Sequence, residues 1–287
     1  MLRKPHREWP RSPGDSFYIG VASRESGVHP STIRLYESLG WIPAPERTAK
    51  GYRLFTNELV VRIKLTAGCL KLTALGPTIR PRALELIALN GEGAVTLLKE
   101  PAERLIEAVE EELRLAREAV RILSSYQARL YNEESSREFS PDILGEAGTS
   151  SRLRKIAEAA ELCGVTPDQI RHWERNALLA IPRDPRSGYR LFAAEELERL
   201  LLIRLCIRSR FSLTAVRRVM RELDNALLPE GPASTDRSLE EIIDTPTHDE
   251  LSFFSPFPTD RWISTLTDAL GHARKAQEII RRITTFY

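Results

Sequence analysis

Two short clusters of polar and cationic residues, 137 positions apart, carry the chemistry this chain offers. The first holds Ser31, Thr32 and Arg34; the second holds Thr166, Asp168, Gln169 and Arg171. Each follows a glycine and sits beside a proline, Gly27 with Pro30 and Gly164 with Pro167, so each begins a helix with an open N-terminus. Short hydroxyl and amide side chains there can hydrogen-bond base edges in a groove about 12 Å wide. Arg34 and Arg171, one turn on, can reach a phosphate or a guanine edge, and the helix dipole favours phosphate. Asp168 breaks the pattern. It repels phosphate unless it caps the helix or accepts from a cytosine amino group, so the two clusters are expected to read unequal sites.

Catalysis has no comparable footing. His6, His29, His172, His248 and His272 are scattered, and no Ser-His-Asp set, HExxH, P-loop or dinucleotide-binding glycine pattern occurs. The runs Glu110-Glu111-Glu112 and Glu133-Glu134 read as solvated helix faces. Cys69, Cys163 and Cys206 are far apart and form no CxxC pair, so they are expected to be small buried hydrophobes in a reducing compartment. Neither a metal site nor another cofactor is evident.

The elements that must position these residues come in two copies. GVHPSTIRLYESLGWIPAPERTAKGYRLF, from Gly27, aligns without a gap on GVTPDQIRHWERNALLAIPRDPRSGYRLF, from Gly164. In each copy a helix ends at the glycine and a second begins after it, with Thr166, Pro167 and Gln169 giving a better start than His29-Pro30-Ser31-Thr32. Lys50-Gly51 and Ser187-Gly188 then precede Tyr-Arg-Leu-Phe, which predicts a small two-stranded hairpin. Its alternation sets Tyr52 with Leu54 on one face and Arg53 with Phe55 on the other, with one aromatic packed on the helices and the arginine exposed. Third helices start near Asn57 and Ala194, and fourth ones cover Gly76–Leu86 and the segment from Phe211. Matched by their apolar residues, the copies fall out of register by about three residues between these points, which predicts an insertion near Thr66–Lys71.

Charge follows the same division. Net charge is +6 over residues 17–82, −7 over 83–150, +7 over 151–221 and −6 over 222–287. Two positive blocks suit one polyanion, with the acidic parts facing away. Within the acidic blocks, Ala102, Ile106, Val109, Leu113, Ala116, Val120 and Leu123 recur at steps of four and three. Trp262, Leu266, Ala269, Ala273, Ala276, Ile280 and Ile283 do the same. Heptads on two separate helices predict coiled-coil packing, against the plainer reading of core-facing domain helices. No apolar run reaches the length of a membrane span, so no membrane partner is expected. The expected divisions are a flexible basic leader (1–16), a first domain (17–85), and a helical region (86–131) with its heptad helix at 102–131. A linker (132–150) and a second domain (151–223) follow. The chain ends with a linker (224–259) holding an apolar island at 251–258, and a second heptad helix (260–285).

The shared residues resemble the DNA-binding domain of the MerR family of bacterial regulators. Ile-Gly-x-x-Ala, then Gly-Val-x-x-x-x-Ile-Arg-x-Tyr/Trp-Glu, then Arg-x-x-x-Gly-Tyr-Arg-Leu-Phe carry the likeness over about half the chain. The resemblance implies a mainly α fold with a duplicated winged helix-turn-helix domain, each copy followed by a long heptad helix able to form an antiparallel coiled coil. It implies major-groove recognition through His29, Ser31, Thr32 and Arg34, and through Thr166, Asp168, Gln169 and Arg171. Tyr36 and Trp173 fall where an aromatic supports backbone contact. Arg47, Lys50 and Arg53, with Arg183 or Arg186 and Arg190, fall on the wings. The family's metal-sensing cysteines do not match Cys69, Cys163 or Cys206, and no effector site is recognisable.

What the resemblance implies in sum is a cytoplasmic, nucleoid-associated regulator of transcription that binds double-stranded DNA, bends or untwists a promoter and so assists RNA polymerase. It would act as a monomeric pseudo-dimer or a homodimer. Two alternatives stand beside it: an excisionase-like DNA-bending protein, and a regulator in which one module reads DNA while the other binds a protein.

Overall fold

A computed structural model describes residues 16–131, 153–226, 237–246 and 258–284. The leader before Ser16, the linker 132–150 and the apolar island up to Phe257 lie outside the described residues. The chain divides into two compact units, Met1–Glu111 with Leu266–Tyr287, and Glu112–Thr265.

The first unit opens with β1 (Ser16–Phe17) and α1 (Ile19–Ser26), which ends where Gly27 turns left-handed at φ 73°. That turn favours glycine because a Cβ is strained there. Next come α2 (Pro30–Ser38), β2 (Glu46–Arg47) and β3 (Arg53–Thr56). Helices α3 (Asn57–Leu72), α4 (Gly76–Gly91) and α5 (Lys99–Tyr131) complete the run. The predicted hairpin is two strands of a three-stranded antiparallel sheet, ordered β1-β3-β2. In it Phe17 lies opposite Phe55, and Arg47 opposite Arg53. Phe17, Ala22, Ile33, Ile42, Phe55, Val60 and Ile63 form one buried cluster around which the sheet and α1–α3 close. Each such large side chain contributes about 1.5–3 kcal/mol relative to exposure.

Helix α3 is capped by Thr56, whose hydroxyl accepts from the Leu59 amide at 3.2 Å, and it packs along α4. At the end of α4 the backbone of Gly91 meets the Gly40 carbonyl, with no room for a Cβ. Beside it Asn90 donates to the carbonyls of Trp41 (3.1 Å) and Arg62 (3.2 Å), and to the Thr66 hydroxyl at 2.9 Å. The turn that follows α2 is thereby fixed from behind by α4.

The second unit repeats this plan with α6 (Ile156–Leu162), α7 (Pro167–Arg175), α8 (Ala194–Arg208) and α9 (Leu213–Ala226). Its sheet is reduced to two antiparallel bridges, Arg154 to Phe192 and Arg183 to Arg190. Helix starts stay in step across the copies, Asn57 with Ala194 and Gly76 with Leu213. Buried pairs stay in step too: Ile63 with Leu200, Cys69 with Cys206, Ile79 with Val216 and Leu86 with Leu223. The expected insertion near Thr66–Lys71 is therefore absent. Leu75 stands where Ser212 does, so matching the two segments by apolar residues alone shifts the register.

The segment 224–259 is not all linker, as helix α10 (Leu239–Asp244) lies in it. Ser238 and Glu241 exchange capping bonds at its start, at 3.2 and 3.0 Å. Asp244 at its end accepts from the amides of Ile263 (2.7 Å) and Ser264 (2.9 Å), capping the last helix, α11 (Trp262–Thr284). Arg218 of α9 is buried and donates to the carbonyls of Ile242, Ile243 and Asp260, tying α10 and the start of α11 to the module.

The heptad helices cross between the two divisions. Residues of α5 from Glu112 onward belong to the second unit. There buried Glu112 accepts from Arg210 at 2.9 Å, and Ser209 donates to the Leu115 carbonyl at 3.3 Å. Residues of α11 from Leu266 onward belong to the first unit, where Arg274 meets Glu110 at 2.9 Å. Glu103, Ile106 and Glu107 line a groove with Arg274 and Gln277, as an antiparallel run requires. Along α11, Leu266, Ala269, Ala273, Ala276, Ile280 and Ile283 are all buried. Along α5 the stripe is wider than a coiled-coil seam. Val109, Leu113, Ala116, Val120 and Leu123 are buried, but so are Leu105, Ala108, Glu112 and Ala119. Ile106, assigned to the seam by its spacing, is only half-buried, and Leu105 takes the covered position. A helix enclosed over more than one face buries more than its a and d positions.

Candidate nucleic-acid interface

In the first module His29 caps α2. Its Nδ1 accepts from the Ser31 amide at 3.3 Å and lies 2.7 Å from the Ser31 hydroxyl. Ile33 and Tyr36 turn inward, so Ser31, Arg34 and Leu35 share the outer face, with Thr32 half-covered at its edge. Arg34 makes no ion pair among the described residues. In the second module Thr166 and Gln169 form the capping box that their spacing predicts, at 3.1 and 2.8 Å. Both Thr166 Oγ1 and Gln169 Oε1 therefore serve the helix start. Asp168 and Arg171 stay outside and pair with each other, Nη1 to Oδ1 at 2.5 Å. Tyr36 and Trp173, expected beside the duplex backbone, are buried. Tyr36 packs against Trp41 with centroids 5.8 Å apart, and burial pushes its phenol above the usual range.

The wings correct a second expectation. Phe55 packs inward, and Arg53, on the same face, turns toward α2 instead of standing free. Its Nε donates to Glu37 Oε2 at 2.5 Å, while Arg47 Nη2 reaches Glu37 Oε1 at 3.3 Å. The second module repeats the clamp. Arg190 donates to Glu174 Oε2 from Nε (2.8 Å) and Nη2 (2.5 Å), and Arg183 Nη2 lies 3.6 Å from Glu174 Oε1. Arg47 and Arg183 also each donate to a glycine carbonyl, of Gly51 and of Gly188, at 3.4 Å. Arg183, not Arg186, is thus the counterpart of Arg47. One acidic residue at the end of each second helix gathers two wing arginines beside the exposed helix face. Two parallel charge-assisted contacts fix such a cation more firmly than one.

At the first wing's tip, Thr48 accepts from the Tyr52 amide at 3.1 Å and leaves Lys50 exposed. At the second, Asp184 accepts from the Arg186 amide and the Ser187 hydroxyl, both at 2.8 Å, and these bonds lower its pKa. Arg186 itself is exposed. Tyr52 and Tyr189, each 62 % exposed, stand on the outer face of the wings. Tyr52 meets Tyr18 edge-on with centroids 6.1 Å apart, and the Lys155 ammonium lies 5.4 Å from the Tyr189 centroid. Such cation–aromatic contacts are weakly favourable at exposed sites. Leu35, Tyr18, His172 and Lys155 were missed from sequence. An outward leucine or tyrosine looks like a core residue until helix phase is known.

Two segments of the chain match one family. Residues 18–55 match the family described as MerR family regulatory protein, and residues 154–223 match MerR HTH family regulatory protein. The chain carries two MerR-family modules in tandem. Among curated proteins, the mercuric resistance operon regulatory protein of Bacillus cereus is 51% identical over 47 residues, 16% of this chain and 36% of that protein. The HTH-type transcriptional regulator YfmP of Bacillus subtilis is 29% identical over 39% of this chain and 86% of its own length. The HTH-type transcriptional regulator ZntR of Escherichia coli is 33% identical over 24% of this chain and 48% of its own. The chain thus spans about a third of the first relative's length. No solved structure matches it. The MerR modules contain the cap, the outward arginine and the Glu-held wing in both copies. Among the described residues no group of His, Cys, Asp or Glu could hold a metal ion, and no helix is long and apolar enough to cross a membrane. The three cysteines are buried and free, with burial raising Cys69 and Cys206 to about 12 and Cys163 to about 11.

Proposed function

We propose that the protein is a sequence-specific, double-stranded-DNA-binding regulator of transcription that uses both MerR modules. The observation that carries this is the duplicated constellation of an exposed helix start, an outward arginine and two wing arginines gathered by one glutamate. Helices α2 and α7 enter successive major grooves, and Arg34 and Arg171 reach base edges or phosphate. Arg47, Arg53, Arg183 and Arg190, with Lys50 and Arg186 at the tips, meet the backbone and flanking minor groove. These contacts set position, while the helix faces set sequence.

A single chain suffices in this reading. Leu266–Tyr287, from the helix that follows the second module, belongs to the first unit, and residues from Glu112 onward of the helix that follows the first module belong to the second, which supports pairing within one polypeptide. Two charged footprints then offset a DNA deformation of about 1–6 kcal/mol. Bending or untwisting a promoter in this way alters its use by RNA polymerase.

In vitro selection with the full chain, followed by mass measurement of the complex, tests the reading. Two half-sites and one chain per duplex are expected, with affinity falling steeply as salt rises. Absence of any enriched sequence refutes DNA reading, and two chains per duplex refutes the single-chain arrangement. Run-off transcription beside a bending assay separates a regulator from a purely architectural protein, which bends DNA without changing the transcript.

A further inference from the structure

The two recognition helices present different chemistry at matched positions. Ser31 faces outward in the first module where Asp168 does in the second, Leu35 where His172 does, and an arginine follows three residues on in both. Asp168 is 90 % exposed and its partner Arg171 is 46 % exposed, so neither belongs to the core. A pair this open contributes little to stability. In the first turn of α7 the Asp168 carboxylate also suits the helix dipole, which does not require Arg171 beside it on the outer face.

The pair uses one carboxylate oxygen, Oδ1, and one guanidinium nitrogen, Nη1. Asp168 Oδ2 has no hydrogen-bond partner among the described residues, and the guanidinium keeps donors beyond the one it shares. An acceptor and a set of donors thus lie side by side on the outer face. In the major groove a C·G pair presents the inverse arrangement: the cytosine N4 amino group donates, and guanine O6 and N7 accept. An A·T pair also presents a donor, adenine N6, beside acceptors, but only guanine sets two acceptors, O6 and N7, where one guanidinium can grip both, so C·G is the better match. Arg171 also neutralises the charge of Asp168, which removes the repulsion that a lone carboxylate meets near phosphate.

We propose that Asp168 is a specificity-determining residue that, with Arg171, makes the second module a reader of a C·G pair, which the first module, with Ser31 at that place, does not require. A serine hydroxyl donates or accepts and so tolerates several bases. This inference rests on the DNA-reading function proposed above and adds the base that distinguishes the two half-sites.

The test is in vitro selection with the full-length protein and with Asp168→Asn and Asp168→Ser, each checked for an unchanged circular-dichroism spectrum and melting temperature. For the native chain, one position in one half-site only is expected to be C·G, preferred about 5- to 150-fold over other pairs. In Asp168→Asn the same position is expected to shift to A·T, because an asparagine amide matches adenine N6 and N7. In Asp168→Ser the preference is expected to vanish there, while the rest of the selected sequence stays. If the native chain enriches sequence and both variants enrich the same one, the role of Asp168 is overturned while DNA reading stands. Equal C·G preference in both half-sites overturns it as well. If the native chain enriches nothing, both proposals fall.

Discussion

Replacing Glu37 with glutamine separates the two jobs assigned to its carboxylate, holding the wing and limiting its charge. Both oxygens are engaged, Oε2 by Arg53 at 2.5 Å and Oε1 by Arg47 at 3.3 Å. Glutamine keeps the shape and one acceptor but loses the charge. A hydrogen bond to a charged group contributes about 1.5–3 kcal/mol, and an exposed ion pair about 0.2–1 kcal/mol. The Arg53 contact lies between these, because Glu37 is mostly covered while Arg53 is 30 % exposed. Arg47, half exposed, adds little. The expected loss is ~1–2 kcal/mol, and a drop in melting temperature of about 3–8 °C. On DNA the effects should oppose one another. Each arginine that moves onto a phosphate steepens the salt dependence by about 0.9 in log–log slope. Loss of a fixed wing position lowers the ratio of specific to non-specific affinity, by about five- to tenfold for a loss near 1 kcal/mol. Calorimetric melts and anisotropy titrations at several salt concentrations, with selected and scrambled duplexes, measure all three quantities. Glu174→Gln should behave alike, since Glu174 holds Arg190 and Arg183 in the same way. If both variants melt as the native chain does and keep its specificity ratio, the glutamates do not organise the wings and the reasoning fails.

Three further outcomes follow from the fold. Gly91→Ala places a methyl against the Gly40 carbonyl, so the turn after α2 must move; a loss of about 1–3 kcal/mol is expected in denaturant melts, with weaker DNA binding, and native-like values for both would contradict the contact. Arg218→Met strips the carbonyls of Ile242, Ile243 and Asp260 of a buried donor; a loss of about 3 kcal/mol or more is expected, read from a shifted urea midpoint. The Cys69 and Cys206 thiols, raised from 9.0 to about 12, hold their protons in the folded protein while the unfolded chain releases them. Stability from them is complete below pH 9 and falls by about 1.4 kcal/mol per pH unit for each thiol from there toward 12. Urea melts from pH 8 to 10.5 should show that decline, and Cys69→Ala with Cys206→Ala should flatten it.

Some elements are decided by local rules that a sequence displays openly. Thr166, Pro167 and Gln169 specify a helix start through bonds spanning three residues, and the capping box is present. Gly27 and Gly164 mark left-handed turns because few other residues tolerate positive φ. The repeated Tyr-Arg-Leu-Phe gives the wing strand, since alternation is a property of any extended chain. Arg53 in solvent and Ile106 in a coiled-coil seam fail for one reason: each depends on what a side chain faces across the fold, and spacing alone does not contain that. The insertion near Thr66 fails for another, because Leu75 stands opposite Ser212 and apolar residues alone misplace the register.

The duplication, the two helix pairs with their wings, and the family are legible from residue order, because these rest on short-range backbone chemistry. Only the folded chain shows which arginines Glu37 and Glu174 hold, and that Arg34 makes no ion pair among the described residues. It also shows that α5 is divided between the units at Glu111 and Glu112, and that α11 from Leu266 onward lies in the first unit. The physical reason is that an ion pair or a buried stripe belongs to two segments at once. Its free energy appears only when folding has brought residues such as Glu110 and Arg274, distant along the chain, to within a few ångströms.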